Sequence, residues 1–401
     1  VTYRYPYRNG EEKRALDTLS LFLMNCRNYI RSVNGKIGYP GTGLAHLSRF
    51  IIKFLRATGI GCFAIMVLAC CIRKEVSLDD GSCTGWIVGN VHDEYGTIFY
   101  TINDGFDWQR QGFHSLIPEV PLYGVSSLDA EEVWVCGPPV NEHGLILYSD
   151  DRGYNWVRRG NKSQFRDVSF RKIFAKKPPR VWITGNRGWV GFTMDNGNTW
   201  TKAVSDSLIS YTFHDITCSD SGYIWVIGYD STLPQPKGIL LSTDMDGLTW
   251  YIRQPVMGNT CYHAIFSCDD TTVWLSTGNA VFVSTDKGDN WNKKVEIPDG
   301  VITGISASSL KDIWLITNTG KVLHSENSGK TWISSQPFGL SNPLTAITTA
   351  GGKRIWITGR AADQTPKGII IHSRNAGKTW YLQEYPGGCG LHGISFARGN
   401  R

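Results

Sequence analysis

The feature that most constrains this chain is a tryptophan-containing motif that recurs seven times. Residues 284–291 read STDKGDNW, with a hydroxyl residue, an Asp, a Gly and a Trp at its first, third, fifth and eighth positions. Successive copies lie 41 to 50 residues apart, and one copy, STDMDGLTW, has one extra residue before its Gly. A repeat of about 40–50 residues that contains several short strands is typical of a β-propeller or a repeat array.

A second series of tryptophans alternates with the first, in segments such as GWIVGN, VWITGN and IWLITN. Its members are Trp86, Trp134, Trp182, Trp225, Trp274, Trp314 and Trp356. The two series account for fourteen of the fifteen tryptophans, and only Trp189 falls outside them.

Each repeat divides into four strand-like segments that are rich in Ile, Thr, Trp and Tyr and are bounded by Gly, Asn, Asp or Pro. The last segment, LHGISFARGN at 391–400, resembles the first strand of a repeat, whereas the unit that begins at residue 84 has no first strand before it. We therefore predict an all-β fold, a seven-bladed β-propeller of four-stranded antiparallel blades, in which the C-terminal strand completes the first blade and closes the ring.

The repeated motif is interpreted as a structural part of the blade. An acid, a hydroxyl and an aromatic residue could bind a metal or a sugar, but three of the seven copies have Asn in place of Asp. A hydrogen-bond acceptor in a turn tolerates this change, whereas calcium ligation tolerates it poorly. We predict no metal and no cofactor at these positions. The acceptor and the tryptophan of each copy are Asn103 and Trp108, Asp151 and Trp156, Asp195 and Trp200, Asp244 and Trp250, Asp286 and Trp291, Asn327 and Trp332, and Asn375 and Trp380.

These residues resemble the Asp-box, or BNR repeat, S-x-D-x-G-x-x-W, over residues 84–401. Units that combine GW-x-V/T-G with S-x-D-G-G-x-T-W look most like the photosystem II stability and assembly factor family. That resemblance implies a single seven-bladed propeller, often lipid-anchored, which acts as an assembly scaffold and not as an enzyme.

The N-terminal segment has a different character. Three basic residues precede an apolar run at 59–69, which is too short for a transmembrane helix of about 20 residues. Its length and its basic flank suit a signal peptide, and Val-Leu-Ala-Cys at 67–70 resembles a lipobox. We expect lipidation at Cys70, with Cys71 as the competing position, and an exported protein of the cell envelope. A buried hydrophobic segment or a short membrane anchor is the alternative.

The predicted divisions are an N-terminal extension at 1–48, in which a mis-assigned start is one interpretation, the signal segment at 49–71, a linker at 72–83, and the propeller at 84–401. The net charge of +6 belongs to the targeting segment, because residues 1–69 hold ten basic and three acidic residues and the remainder holds 31 and 32. The propeller therefore has no basic excess, and we expect no nucleic-acid partner. We expect a monomer.

Strand direction predicts where a ligand binds. The turns between second and third strands, and the links between blades, share one face, which we call the loop face. Trp189 lies near this face beside Arg187, where it could anchor a partner or pack between blades. The starts of the innermost strands ring the channel, and three of them are His, which polar channel lining explains better than a metal site. The candidate binding residues are Arg187, Trp189, Tyr123, Arg166, His214, His263, His392 and Arg360, with Thr303 and Thr345 completing the ring.

Catalysis is the weaker interpretation. An inverting glycoside hydrolase needs two carboxylates about 6.5–9.5 Å apart. We predict that Asp167 and Asp215 occupy equivalent places in neighbouring blades, and they are the best available pair. The F-R-I-P motif of sialidases is absent, and FRDV at 165–168 does not match it. We therefore expect a scaffold that binds a protein partner. A glycan-binding propeller or a glycoside hydrolase of the sialidase or xyloglucanase kind is the alternative.

Overall fold

The protein is represented by a computed structural model that describes residues 82–111, 117–160, 163–176, 180–243, 247, 249–253, 261–360, 367–385 and 390–397. The signal segment, Cys70 and Asp244 lie outside these residues, so the predictions made for them stay predictions. Within the described part, no helix has the length and apolar character that crossing a membrane requires.

Seven four-stranded antiparallel sheets form a propeller, as predicted. Blade one contains β28 (Leu391–Phe396), β1 (Gly85–His92), β2 (Tyr95–Thr101) and β3 (Gln109–Arg110). Blade two contains β4 (Gly124–Ser127), β5 (Val133–Val140), β6 (His143–Ser149) and β7 (Val157–Arg158). Blade three contains β8 (Phe170–Lys176), β9 (Arg180–Gly185), β10 (Val190–Thr193) and β11 (Thr201–Lys202).

Blade four contains β12 (Tyr211–Cys218), β13 (Ile224–Asp230), β14 (Gly238–Thr243) and β15 (Trp250–Ile252). Blade five contains β16 (Ala264–Ser267), β17 (Val273–Thr277), β18 (Ala280–Ser284) and β19 (Asn292–Glu296). Blade six contains β20 (Ile302–Ala307), β21 (Ile313–Thr317), β22 (Val322–Ser325) and β23 (Ile333–Ser335). Blade seven contains β24 (Leu344–Ala350), β25 (Arg354–Arg360), β26 (Gly368–Ser373) and β27 (Tyr381–Tyr385). Single 3₁₀ turns at Asp206–Leu208 and Pro337–Gly339 lie in two of the links.

The C-terminal strand closes the ring. β28 pairs antiparallel with β1, from Gly85 opposite Phe396 to Gly89 opposite Leu391. The innermost strands then contact one another in the order β28, β4, β8, β12, β16, β20, β24 and back to β28. Closure pairs the inner edge of β1, which would otherwise be free to recruit another chain. The prediction that blade one is shared between the two chain ends is confirmed.

The Asp-box is a turn between the third and fourth strands. In the copy of blade five, the Ser284 hydroxyl donates to Asp286 Oδ1 at 2.6 Å and accepts from the Gly288 N–H at 2.8 Å. Asp286 Oδ1 also accepts from the Asn290 N–H at 2.8 Å. Gly288 has a φ of +93°, a conformation that a side chain would strain. The same hydroxyl-to-acceptor bond recurs in the copies that carry Asn, such as Ser325 to Asn327 at 3.0 Å.

The two tryptophan series meet between blades. Each second-strand tryptophan is almost fully buried, and it lies beside the Asp-box of the next blade. Trp134 contacts Trp200 edge-on with ring centroids 6.3 Å apart, and a Cβ on Gly197 would come within 2.9 Å of the Trp134 ring. Similar edge-on pairs are Trp182 with Trp250, Trp274 with Trp332, and Trp314 with Trp380.

In blades one and two, the second and third strands form extended hairpins on the loop face, because β1 continues to His92 and β5 to Val140. Each hairpin is closed by two residues with positive φ, Asp93–Glu94 and Asn141–Glu142. This is the turn geometry that matches the twist of paired strands.

We expect Trp134→Ala to lower the free energy of unfolding by about 3–5 kcal/mol, because it removes a large buried ring and leaves a cavity that the Gly197 turn cannot fill. The midpoint of urea unfolding, followed by far-ultraviolet circular dichroism, measures the change. Tyr154→Ala, at a 58% exposed aromatic in the same blade, is the control and should shift stability by less than about 0.5 kcal/mol. Equal effects of the two changes would contradict the proposed role of the tryptophan.

The hydrogen bonds from Ser284 and Asn290 lower the pKa of Asp286 to about 2. Because this folded-state value lies below the ordinary one, its stabilising effect is present above about pH 4 and is lost as the pH falls towards 2. The stability difference between the original chain and Asp286→Asn should therefore shrink over that range in pH-dependent thermal unfolding. Asn327→Asp, the reverse change in blade six, should add acid sensitivity. A pH-independent difference for both variants would contradict this account.

Candidate binding site at the channel mouth

Seven residues form a ring where the innermost strands begin on the loop face. In five blades the residue bulges out of the strand pairing, and a bulge re-aims a side chain. In blades two and five it stands just before the first paired residue. We call these seven residues the mouth ring; in blade order they are His392, Tyr123, Arg171, His214, His263, Thr303 and Thr345.

The structure corrects one member of this ring. The sequence predicts Arg166 at the ring position of blade three, but Arg171 occupies it. The buried position that Phe213 takes in blade four is taken in blade three by Phe170 and not by Phe165. Arg166 lies in the preceding link, where its guanidinium is 3.5 Å from the Glu142 carboxylate. The sequence FRKI at 170–173 matches FHDI at 213–216, and this match identifies Arg171 as the equivalent of His214.

The same shift of register separates the proposed carboxylate pair. The residue equivalent to Asp215 in blade three is Lys172, and its ammonium lies 3.3 Å from Asp215 Oδ1. Asp167 is in the link, with an exposed side chain and a φ of +55°. The prediction that Asp167 and Asp215 occupy equivalent places is wrong. Asp215 is also engaged structurally, since its Oδ2 accepts from the Ile265 N–H of blade five at 3.1 Å.

The channel below the mouth ring is narrow and mixed in character. Its cavity has a volume of about 230 Å³ and is lined by apolar residues such as Val125 and Ile305 together with small residues such as Gly124 and Gly393. Two members of the ring hold blades together, because the Thr303 and Thr345 hydroxyls donate to the Leu344 and Leu391 carbonyls at 2.7 and 2.6 Å. Their hydroxyl protons are therefore already in use.

Burial favours the neutral form of the three histidines of the ring. Burial lowers the pKa of His214 to about 4 and lowers the pKa of His263. Burial also lowers the pKa of His392, and the charges of Arg360 and Arg171 lower it further. The Nε2 of His392 donates to Asn90 Oδ1 at 2.7 Å. No group of three or more metal-ligating side chains occurs among the residues the structure describes.

The positive charge at the mouth comes from arginines. The Arg171 guanidinium lies over the Tyr123 ring at 4.9 Å, and the Tyr123 ring meets the His392 ring edge-on at 5.7 Å. Arg360 ends β25 and is exposed. Within the described ranges, neither Arg171 nor Arg360 has a carboxylate at ion-pair distance.

Trp189 is part of the core and not of the loop face. It is 6% exposed and packs edge-on against Phe165 and Phe170, with ring centroids 5.1 and 6.1 Å away. Packing within the blade-two and blade-three cluster, the alternative named above, therefore describes its position, and its ring has no free face for a ligand. Its neighbour Arg187 is exposed at a turn of positive φ.

Comparison with known proteins supports the fold. No family model matches the chain, and no curated protein matches it. A solved structure described as YCF48 bound to D1 peptide has a TM-score of 0.58 and 18% identity, covering 73% of this chain and 89% of that one. A streptogramin B lyase has a TM-score of 0.55 and 18% identity, covering 69% and 90%. The GH74 xyloglucanase from Xanthomonas campestris has a TM-score of 0.50 and 13% identity, covering 74% and 58%. At these identities the chain is similar to them in fold.

If Asp215 is structural, Asp215→Ala should lower the free energy of unfolding by about 1–3 kcal/mol, because the Ile265 N–H loses its acceptor and Lys172 loses its counter-charge. Thermal and urea unfolding measure this loss. Asp167→Ala, at an exposed link position, is the control and should be close to neutral. Glycosidase activity that disappears on either change, with stability preserved, would restore the hydrolase interpretation.

Proposed function

We propose that this chain is a non-enzymatic propeller scaffold that binds a protein partner at its loop face. The observation that carries the proposal is the guanidinium of Arg171 stacked on the Tyr123 ring at the channel mouth. The exposed Arg360 of blade seven lies on the same face, and neither arginine is paired with a carboxylate in the described part of the chain. Tyr and Arg are the residue types most often found at the energetic centre of protein interfaces.

Two further observations support binding over chemistry. Asp215 is neutralised by Lys172 and hydrogen-bonded to backbone N–H groups, and Asp167 belongs to a different part of the loop face. A propeller of the same fold is described as bound to a peptide, which supports a polypeptide partner. An assembly-factor-like role is the finer form of this proposal.

The proposal includes export and anchoring in the cell envelope. It rests on the basic flank, the apolar run at 59–69 and the lipobox-like Val-Leu-Ala-Cys that ends at Cys70. A lipid anchor at Cys70 would hold the propeller close to membrane-bound partners while the closed ring remains in water. One acyl chain anchors only marginally, so further acylation or the basic flank would add to it.

The test is capture of partners from envelope extract by the full-length chain with a cleavable cross-linker. Arg171→Glu combined with Arg360→Glu reverses the two arginine charges on which the proposal rests, and Cys70→Ser tests whether the chain leaves the membrane fraction. Lys330→Glu combined with Lys378→Glu makes the same change of charge on the Asp-box turns and is the control. We expect one protein, identified by mass spectrometry and re-bound in purified form, to be lost only with the loop-face variant.

Two results would contradict the scaffold proposal. The first is capture that is equal for both pairs of substitutions, which would place the contact elsewhere. The second is recovery of polysaccharide in place of protein, which would favour a glycan-binding propeller. Retention of Cys70→Ser in the membrane fraction would contradict anchoring through that residue while leaving partner binding intact.

A further inference from the structure

We propose, resting on the membrane anchoring proposed above, that the propeller lies against a bilayer through one corner of its Asp-box face and binds anionic lipid headgroups there. The Asp-box face is the side of the ring opposite the loop face, and it carries the Asp-box turns and the turns between first and second strands. The corner is formed by these two turns of blade seven. We call it the basic corner, and its members are Lys353, Arg354, Arg374 and Lys378.

The first reason is the place where the chain enters the propeller. The Ser82 hydroxyl donates to the Ile102 carbonyl at 3.0 Å. The Cys83 N–H donates to Asp104 Oδ1 at 2.7 Å, and the Cys83 Sγ accepts from the Arg354 guanidinium at 3.2 Å. The entry therefore lies on the Asp-box face, between the Asp-box turn of blade one and the basic corner.

The length of the tether favours this face over the loop face. Cys70 precedes Ser82 by twelve residues, which span at most about 40 Å when fully extended. From the entry, β1 runs away towards the loop face over eight residues, a rise of about 26 Å. A lipid on Cys70 would therefore bring the Asp-box face closer to the membrane than the loop face, on the side formed by blades one and seven.

The second reason is the distribution of charge over the Asp-box face. The two turns of blade seven, residues 351–354 and 374–379, contain four basic residues and no acidic one. The corresponding turns of blade two, residues 128–132 and 150–155, contain five acidic residues and one basic residue. Because anionic lipids attract Lys and Arg and repel carboxylates, a bilayer would contact the blade-seven side of this face.

The charge of the basic corner is only partly compensated from within the protein. Arg354 and Arg374 share the buried carboxylate of Asp104, at 3.6 and 2.6 Å. Lys353 and Lys378 are exposed, and neither has a carboxylate at ion-pair distance among the residues that the structure describes. These two ammonium groups are therefore available to lipid phosphates.

The third reason is a pair of exposed aromatic rings beside the basic corner. Phe106 is 39% exposed and Tyr381 is 48% exposed, and their ring centroids are 6.0 Å apart. The Arg374 guanidinium lies over the Phe106 ring at 5.0 Å. Aromatic and basic side chains together are typical of surfaces that lie at the membrane–water interface. Asp107, next to Phe106, lowers the local charge without cancelling it, because four basic residues face two carboxylates, Asp104 and Asp107.

The experiment measures which face of the full-length chain a vesicle covers. The chain is bound to vesicles of phosphatidylcholine alone, or of an equal mixture of phosphatidylcholine and phosphatidylglycerol, and is isolated by flotation. It is then labelled briefly with an amine-reactive acetylating reagent, digested and analysed by mass spectrometry. Lys237, which is exposed on the loop face of blade four, is the reference within each molecule.

We expect acetylation of Lys353 and Lys378, relative to Lys237, to fall at least about fivefold on the anionic vesicles and not on the neutral ones. Salt at about 0.5 M should remove that difference, because it screens charges at a surface. Lys353→Glu should remove most of the protection of Lys378. Arg187→Glu, which makes the same change of charge at an exposed position of the loop face, should leave that protection within about twofold.

Several results would overturn the inference. Equal acetylation of the three lysines on both kinds of vesicle is one, and protection that is as strong on neutral vesicles is another. Protection of Lys237 in place of Lys353 and Lys378 would turn the loop face to the membrane. Protection by inorganic phosphate without vesicles would indicate a general anion site. Protection without vesicles that grows with protein concentration would indicate contact between copies of the chain.

This outcome is separable from that of the scaffold proposal. The acetylation contrast needs no partner. Partner capture takes place without a bilayer, so the change at Lys378 in its control variant does not affect it. Capture that depends on Arg171 and Arg360, together with unprotected Lys353 and Lys378, would sustain the scaffold and remove the membrane-facing corner. Circular dichroism of Lys353→Glu checks that lost protection does not come from an unfolded ring.

Discussion

The structure depends on one contact that is repeated between blades: a second-strand tryptophan packed against the Asp-box of the next blade. Where Trp134 meets Gly197 and Trp200, a large ring, a glycine without a Cβ and a second ring fill one seam. The Asp-box hydrogen bonds hold that glycine at positive φ and so shape the surface that the tryptophan meets. The hydrogen bonds of the turn and the packing of the tryptophan against it therefore depend on each other. This explains why the two tryptophan series alternate along the chain.

At the seam where the ring closes, the same contact is reinforced by charge. Trp356 of blade seven stacks on Phe396 of β28 at 3.7 Å, and its ring N–H donates to the Asp104 carbonyl at 2.7 Å. The buried Asp104 carboxylate accepts from the Cys83 N–H at 2.7 Å and lies 2.6 Å from the guanidinium of Arg374. The chain crosses this seam from β27 to β28, but the other three strands of blade one come from the opposite end of the chain. The contacts of Asp104 therefore hold the N-terminal part of blade one to blade seven, in addition to the pairing of β1 with β28.

The sequence predicts the seven blades and the ring closure because both follow from a pattern that occurs seven times. A deviation in one copy does not hide a pattern that the other copies share. It fails where one repeat differs from the others. The link before β8 contains an extra turn with Phe165, which packs on Trp189, so a second Phe-Arg pair precedes the true one. Counting from the wrong pair moved the predicted ring position from Arg171 to Arg166 and created the apparent pairing of Asp167 with Asp215. Tyr123, His214, His263 and His392 were placed in the ring correctly, because their links hold no such duplicate.

The division of labour within a blade explains why a binding site can form at the channel mouth. The buried surface between blades is supplied by the second and third strands, whose side chains face a neighbouring blade on both sides. The residue at the start of each innermost strand, which is bulged in five of the seven blades, lies outside the regular strand pairing, so its side chain is free to differ. Two of the seven positions use that freedom to tie blades together through Thr303 and Thr345. The others carry Tyr123, Arg171 and the three histidines, and there the stability of the ring permits side chains that the fold itself does not require, which is the condition under which a site for a partner can form.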